Sequence, residues 1–423
     1  MQKSDFDFEK LFLIFERVIL YNLKEQDYDE FLIAYSGGID STTLLYLSGK
    51  IAKKLNKKIS AVHVNHNLNK ESKNWEIHCK NFCKDIGIPL KIINLNIVLN
   101  KGDSIEERAR EDRYKFIYNL MTRRTVMMTA HHRDDQAETF VCQLLRGAGA
   151  KGLSSMPELK KIKKGYHIRP FLKLSKCDLN NIVKNNNLSY IQDNSNDDTK
   201  FSRNFIRKSI FPVIEKKWPS YSETISRSAF NLSESVKLNE ELAKIDIKNY
   251  LLKEDNKVSV NIIELESYRF NNVIRFWIKK NNYRMPSSEQ IFSIYKNILK
   301  AGKDKAPFFT CAEYEIRRYN DYIEIMDPLT KHDPSVVYVW EAKKNLVISS
   351  LSINLSWKNL EDRLGFEINK NVEVKFRKSG ENIQIGGSKK SLKDYMRENR
   401  IPPWKRERTL LIYIDKELKA VWD

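Results

Sequence analysis

The chain has 423 residues, 41% hydrophobic and 30% charged, an ordinary soluble mixture with enough apolar material for sizeable cores; its length predicts two to four domains. Lys and Arg number 74 against 55 Asp and Glu, a net charge of +19, and a surface this basic attracts polyanions. The five cysteines, at 79, 83, 142, 177 and 311, are odd in number and form no CxxC pair, which argues against a disulfide framework and a zinc site, and no run of 18 apolar residues predicts a membrane-spanning helix.

Acidic residues stand among the apolar ones from the start of MQKSDFDFEKLFLIFERVIL, a pattern unlike a signal peptide, so the expected location is the cytoplasm. Residues 6–24 carry apolar residues at helical spacing. Strands and helices then alternate: strand 31–35, helix 41–55, strand 59–64, helix 72–87, strand 90–97, helix 104–123, strand 125–130 and helix 134–145. Short apolar strands alternating with amphipathic helices predict an α/β fold with a parallel, doubly wound sheet covered on both faces. The pattern changes after residue 216: a mostly helical stretch covers 220–302, strands follow at 307–326 and 336–357, and the part from 371 holds a strand, a short basic helix and a hairpin. The expected domains are therefore 1–216, 217–330 and 336–423, with the polar patch between Pro328 and Pro334 separating the last two.

The first strand runs directly into Ser36-Gly37-Gly38-Ile39-Asp40-Ser41 and then a helix. A sharp strand-to-helix turn aims backbone N–H groups and the positive end of the helix dipole at one point, which favours a phosphate. Gly37 and Gly38 permit close approach, and Ser36 and Ser41 add hydroxyls. Asp40 would repel phosphates unless a magnesium ion sits between them. Neither GxxxxGK[ST] nor GxGxxG is present.

His63-Val64-Asn65-His66 follows the second strand, at the edge where a doubly wound sheet binds ligands. Arg110 and Arg113, three apart on the next long helix, share a face suited to phosphates. Ala130-His131-His132-Arg133-Asp134-Asp135-Gln136-Ala137-Glu138-Thr139 follows the fourth strand. Its three carboxylates fall within one helical turn and repel one another unless cations join them; magnesium and an incoming ammonium are the candidates. A glycine-rich basic loop carrying Arg146 and Lys151 comes next, and later Arg169-Pro170, an acidic stretch from Asp193 to Asp198, and Arg203 and Arg207 one helical turn apart. Between 371 and 408 eleven Lys and Arg face five Asp and Glu, with Tyr395 and Trp404 interleaved. That composition suits RNA through phosphate contacts and base stacking.

SGGIDS resembles the pyrophosphate-binding loop of the N-type ATP pyrophosphatases, which adenylate an oxygen and release pyrophosphate. Taken with HVNH, RAREDRY, AHHRDDQAET, LLRGAGAKGLSSM, RPF and SRNFIR in that order, it is similar to the tRNA(Ile)-lysidine synthetase family, strongly over about residues 30–210 and again near the C-terminus. Tyr35, Asn67 and Ser379 depart from residues common in that family; none removes a charged candidate. The resemblance implies a Rossmann-like catalytic domain, a helical linking domain and a small α+β C-terminal domain that grips tRNA. It implies a ligase that uses ATP and magnesium to join free L-lysine to carbon 2 of the wobble cytidine in an isoleucine tRNA with a CAU anticodon. The oxygen at carbon 2 attacks the α-phosphate, pyrophosphate leaves, and the lysine ε-amine displaces AMP. Codon reading then changes from AUG to AUA and the amino acid from methionine to isoleucine. No membrane is implied, and a homodimer is admitted.

On this reading Ser36, Gly37, Gly38, Ile39, Asp40, Ser41, His63 and Asn65 bind ATP, and Asp40 with Asp134 carries magnesium. Asp135, Glu138 and His131 bind lysine; Asp40, Asp134, Asp135, Glu138, Arg113 and Arg203 are catalytic. Arg146, Lys151, Arg207, Lys389, Lys390, Lys393, Arg397 and Trp404 meet tRNA. Lysine's ammonium, with a pKa near 10.4, leaves only about one part in 2,500 as free amine at pH 7, so something must bind the ammonium and take its proton, and the carboxylates of Asp135 and Glu138 are the candidates. A tRNA thiolase, the rival on the same loop, needs a reactive or cluster-binding cysteine, and no CxxC exists here.

Overall fold

The computed structural model describes residues 8–65, 71–95, 105–192, 202–302, 306–351, 353–378, 380–385 and 388–422, without the side chains of 105–107, 109, 110, 350, 384, 385 and 388. His66, the Arg110 side chain, and Asp193 to Asp198 thus lie outside the described residues, as do Asn67 and Ser379. The chain forms two compact units, Met1–Leu238 and Asn239–Asp423.

The first unit alternates as its sequence predicts: α1 (Phe8–Leu23), β1 (Glu30–Ala34), α2 (Ile39–Lys54), β2 (Lys58–Asn65), α3 (Ser72–Asp85), β3 (Leu90–Asn94), α4 (Ile105–Leu120), β4 (Thr125–Met128) and α5 (Arg133–Leu145). After a short α6 (Ala150–Leu153) come β5 (Leu159–Lys161) and β6 (Tyr166–Ile168), a pair the sequence reading did not resolve. The unit closes with α7 (Lys176–Asn185), α8 (Ser202–Phe205), a π-helical turn at Ile206–Ile210, α9 (Phe211–Lys217) and the start of α10 (Tyr221–Ile247). The sheet order is β3-β2-β1-β4-β6-β5, and only β5 runs antiparallel to its neighbour.

The central strands read as unbroken apolar runs because both their faces are covered. Phe31 and Ile33 of β1 point into a core with Phe15 and Ile19 of α1, Leu44 and Leu47 of α2, and Leu179 and Ile182 of α7. Leu32, between them, joins Val62, Met127 and the α4 residues Ile117 and Met121 on the opposite face. The chain leaves β1 toward β2 on one side and later returns through β4 on the other. The carboxyl ends of β1 and β4 therefore diverge into a crevice, the place where open α/β sheets bind ligands.

The second unit holds β7 (Lys257–Ser259), α11 (Ser267–Lys280), α12 (Ser288–Ser293) extended by a π-helical segment Ile294–Leu299, β8 (Phe308–Thr310), β9 (Glu315–Tyr319) and β10 (Tyr322–Met326). These strands make an antiparallel sheet in the order β7-β10-β9-β8, so the stretch expected to be mostly helical also lends a short strand. Then come β11 (Val337–Trp340), β12 (Leu346–Ile348), β13 (Ile353–Leu355), α13 (Trp357–Leu364), β14 (Val372–Phe376), β15 (Asn382–Ile385), β16 (Ser388–Ser391), α14 (Leu392–Glu398), α15 (Pro403–Arg406), β17 (Leu410–Ile414) and β18 (Glu417–Trp422). The sheet β11-β14-β17-β18 is antiparallel, and β15 and β16 form a separate hairpin beside α14. No helix among the described residues is long and apolar enough to cross a membrane.

Candidate active site

The turn between β1 and α2 is tied down by its own hydroxyls. Ser41 Oγ donates to the Gly38 carbonyl (3.1 Å), lies 3.0 Å from Ser36 Oγ and accepts the Ser36 N–H (3.2 Å). Thr42 Oγ1 donates to the Gly37 carbonyl at 3.2 Å, and the Ile191 N–H donates to the same oxygen at 2.8 Å. Gly37 sits at φ +85°, and a Cβ there would stand 2.4 Å from Ile191 Cδ1 and 3.0 Å from Cys79 Sγ. Gly37→Ala is expected to cost about 1–2 kcal/mol of backbone strain alone and to weaken ATP binding, read by thermal melting and ATP calorimetry; wild-type values in both would show that the loop does not need this conformation.

At the end of β2, His63 is buried and its Nδ1 donates to the Tyr35 carbonyl at 3.0 Å. Burial lowers its pKa, with the backbone hydrogen bond opposing, and Arg113 on α4 is close enough to add to the lowering. Asn65, also buried, hydrogen-bonds to Glu76 of α3.

The acidic turn opens α5, and His132 is its N-cap. His132 Nδ1 accepts the Asp134 N–H at 3.2 Å while Asp135 Oδ2 accepts the His132 N–H at 3.0 Å. This reciprocal cap consumes donors that a helix start leaves unpaired. It also puts one imidazole, 2% exposed, at the centre of three carboxylates: His132 Nε2 is 3.4 Å from Asp135 Oδ2 and 3.8 Å from Asp40 Oδ2, and Nδ1 is 3.5 Å from Asp134 Oδ2. Burial alone would lower the His132 pKa, but the surrounding carboxylates outweigh it and raise it.

The three acids respond differently. Burial opposes ionisation of Asp134, yet the His132 ring beside it and hydrogen bonds from the Lys176 N–H (2.8 Å) and Ser222 bring it down to about 2. Asp135 is also held low against its burial by His132 and His131. Asp40 moves the other way, because desolvation exceeds what His132 and Lys176 return. Its Oδ1 is buried and has no hydrogen-bond partner. A buried carboxylate oxygen without a donor is a place for a cation. Among the described residues no group of three or more His, Cys, Asp or Glu is arranged to hold a metal by itself. Magnesium needs only one or two carboxylates when phosphates and water complete its shell; Asp40 shares the Nε2 edge of His132 with Asp135, and Asp134 lies at its Nδ1 edge.

Glu138, one turn further along α5, is 1% exposed, and Arg207 grips it with both arms of its fork: Nε to Oε1 at 2.6 Å and Nη2 to Oε2 at 3.0 Å. Arg203 Nε lies 3.7 Å from Glu138, and its Nη2 donates to Thr139 Oγ1 at 2.9 Å. The π-helical turn that carries Arg207 packs Ile206 against Ala137 of α5. Such turns are frequent at functional sites.

The crevice thus gathers Ser36 to Ser41, Asp40, Asp134, Asp135, Glu138, Arg203 and Arg207, with His131 at the end of β4. Three of the expected residues have partners of their own in the structure. Arg207, expected to meet tRNA, spends its fork on Glu138 and lies 3.6 Å from Asp135. Glu138, expected to meet lysine directly, has both carboxylate oxygens engaged by Arg207. Trp404, expected to stack on bases, is only 7% exposed, its ring edge-on to Tyr319 (6.1 Å between centroids) and under the Arg317 guanidinium (5.7 Å). Arg146 and Lys151 are exposed after α5; Lys389, Lys393 and Arg397 are exposed in the second unit, while Lys390 pairs with Glu398. Sequence reasoning gave no role to His132; its signal was an imidazole at the N-cap before an acidic first turn.

Comparison with known proteins identifies the family. Residues 12–214 match the PP-loop domain, residues 262–323 the TilS substrate binding domain, and residues 372–423 the TilS substrate C-terminal domain. The chain is 35% identical to a tRNA(Ile)-lysidine synthase of Coxiella burnetii over 92% of its own length and 88% of that protein. It is 34% identical to the Legionella pneumophila (strain Paris) protein of the same name, over 94% and 91%, and 34% identical to that of Buchnera aphidicola subsp. Acyrthosiphon pisum, over 90% and 87%. With similarity spanning nearly the whole of both chains, this chain belongs to the tRNA(Ile)-lysidine synthase family.

Proposed function

We propose that this chain makes lysidine, using ATP to join free lysine to carbon 2 of the wobble cytidine in a CAU-anticodon isoleucine tRNA. The observation that carries the chemistry is the gathering of Asp40 and the acidic turn of α5 around one buried imidazole, beside a phosphate-type loop at the crevice between β1 and β4.

The N–H groups and hydroxyls from Ser36 to Ser41 receive the pyrophosphate part of ATP. Asp40, with Asp134, would hold magnesium, which neutralises charge on the phosphates. Arg203 and Arg113 offer guanidinium forks for phosphate oxygens or the activated base. Asp135, kept ionised by His132, attracts the lysine ammonium and accepts its proton. Glu138 acts through Arg207, which screens the repulsion among these acids. The anticodon base leaves its stack to reach the crevice. Cys79, beside the loop, is poorly suited to sulfur transfer: it is buried, and burial pushes its thiol up to about 12.

Incubation with ATP, magnesium, radiolabelled lysine and unmodified CAU-anticodon isoleucine tRNA should put label into the RNA, and methionine tRNA should stay unlabelled. Absence of label with folded, ATP-binding protein would overturn the assignment. The basic face of the second unit makes a separate prediction. Replacing Lys389, Lys393 and Arg397 with Ala should weaken tRNA binding and flatten the plot of log Kd against log salt by about 0.7–0.9 for each phosphate no longer neutralised. An unchanged slope would remove these residues from the interface.

A further inference from the structure

The helical stretch that brings Arg203 and Arg207 to the crevice has a second side. From Ser202 to Lys217 it runs as α8, the π-helical turn and α9, and its inward residues Ile206 and Phe211, with Ile210 and Ile214 partly covered, pack with Ala137 and Val141 of α5. The outward side carries Phe205, Val213 and, directly after α9, Trp218, all exposed, the Trp at 58%. Single apolar residues on a surface are ordinary, but an indole in water leaves one of the largest apolar surfaces of any side chain uncovered. Here three such residues lie along about 20 Å of helix that begins beside the crevice. The backbone beneath Trp218 is fixed: its N–H donates to the Ile214 carbonyl at 2.8 Å, and its carbonyl accepts the Tyr221 N–H at 3.0 Å. Lys217 Nζ stands 5.0 Å from the centroid of the Trp218 ring, and Lys216 is exposed beside it. A rigidly held aromatic ring among ammonium groups suits single-stranded nucleic acid, whose bases stack and whose phosphates meet the cations. Net charge decides between occupants in the same sense. A second copy of a chain at +19 brings like charge to this face, and an RNA brings the opposite.

We propose that the outward side of α8 and α9, from Phe205 to Trp218, is a binding face for the anticodon loop, with Trp218 as the stacking platform for a base of that loop other than the one that enters the crevice. This rests on the lysidine reading above. The same stretch then serves the reaction with both sides: Arg203 and Arg207 face the acids of α5, and the aromatic and basic side holds the neighbouring nucleotides.

The test uses the full chain and a CAU-anticodon stem-loop RNA. Trp218→Ala should weaken stem-loop binding by about tenfold, within the range for one lost base stack, and leave the slope of log Kd against log salt unchanged, because no phosphate contact is lost. Trp218→Phe should keep most of the affinity. Stem-loop binding should quench tryptophan emission in wild type, and Trp218→Phe should lose that part of the quenching. Val213→Glu, which adds a negative charge to the same side without touching the ring, should weaken binding as well. Melting temperature and ATP binding should match wild type in all three variants, since these side chains are exposed and outside the crevice. Trp218→Ala and Val213→Glu proteins that bind the stem-loop as tightly as wild type would overturn the proposal. So would a Trp218→Ala protein that loses affinity for whole tRNA and none for the stem-loop. A change of oligomeric state in light scattering, with stem-loop affinity unchanged, would give this face to a second copy instead. Should wild-type protein bind the stem-loop through Trp218 and yet transfer no lysine, the lysidine reading falls and the binding face stands.

Discussion

An Asp40→Asn variant is expected to keep its fold and to lose about 10²–10³-fold in lysine transfer, the loss typical when one group that stabilises transition-state charge is removed. Asn matches Asp in shape, so the tight turn from Ser36 to Ser41 should survive, and the melting temperature should stay within a few degrees. What goes is the charge. Asp40 Oδ1 is buried with no hydrogen-bond donor, and burial already works against its ionisation. Such a carboxylate gains most from a cation, and its neutral amide gains least. The loss should therefore be partly offset by raising the magnesium concentration, and pyrophosphate release should fall in step with label transfer because both follow the same adenylation. Wild-type activity at ordinary magnesium would remove Asp40 from the metal's ligands. Activity lost together with the melting transition would show instead that Asp40 holds the turn.

How far the sequence revealed this molecule depends on how local each determinant is. The central strands were legible because a strand covered on both faces is a short unbroken apolar run, as in Phe31-Leu32-Ile33 and Val126-Met127-Met128. The loop was legible because its glycines sit where a strand meets a helix. The pair β5 and β6 was not: Leu159-Lys160-Lys161 has no strand pattern of its own and is ordered by its pairing with Tyr166-His167-Ile168. The basic hairpin strand Ser388–Ser391 is the same case, since two central lysines read as a loop until Asn382–Ile385 pairs with them.

The site divides along the same line. Spacing on one helix brought Asp134, Asp135 and Glu138 together, because residues three and four apart are neighbours. It could not bring Arg207 to Glu138, which sits 69 positions earlier on α5. Nor could it show that Tyr319 and Arg317 of β9 cover Trp404. Basic residues around an aromatic ring look alike in sequence whether the ring faces RNA or another sheet.

Arg207→Met is expected to destabilise the first unit by about 3 kcal/mol, the low end of the range for removing one partner of a buried ion pair. Glu138 is 1% exposed, so its charge would remain without the two bonds from the Arg207 fork. The low end applies because Arg203, 3.7 Å away, stays as a partial partner. Denaturant unfolding of the single variant, of Glu138→Leu and of the double variant separates the sources of the cost. If the penalty is the stranded charge, the double variant should regain most of the stability, since a buried pair is often replaceable by apolar groups of similar volume. It should not regain activity. Arg207 also lies 3.6 Å from Asp135, and without that positive charge the repulsion between Asp135 and Asp40 is screened by His132 with less help beside the crevice. A double variant as unstable as Arg207→Met would trace the loss to packing around the π-helical turn. A stable and fully active double variant would show that Glu138 and Arg207 hold the fold together and take no part in the chemistry.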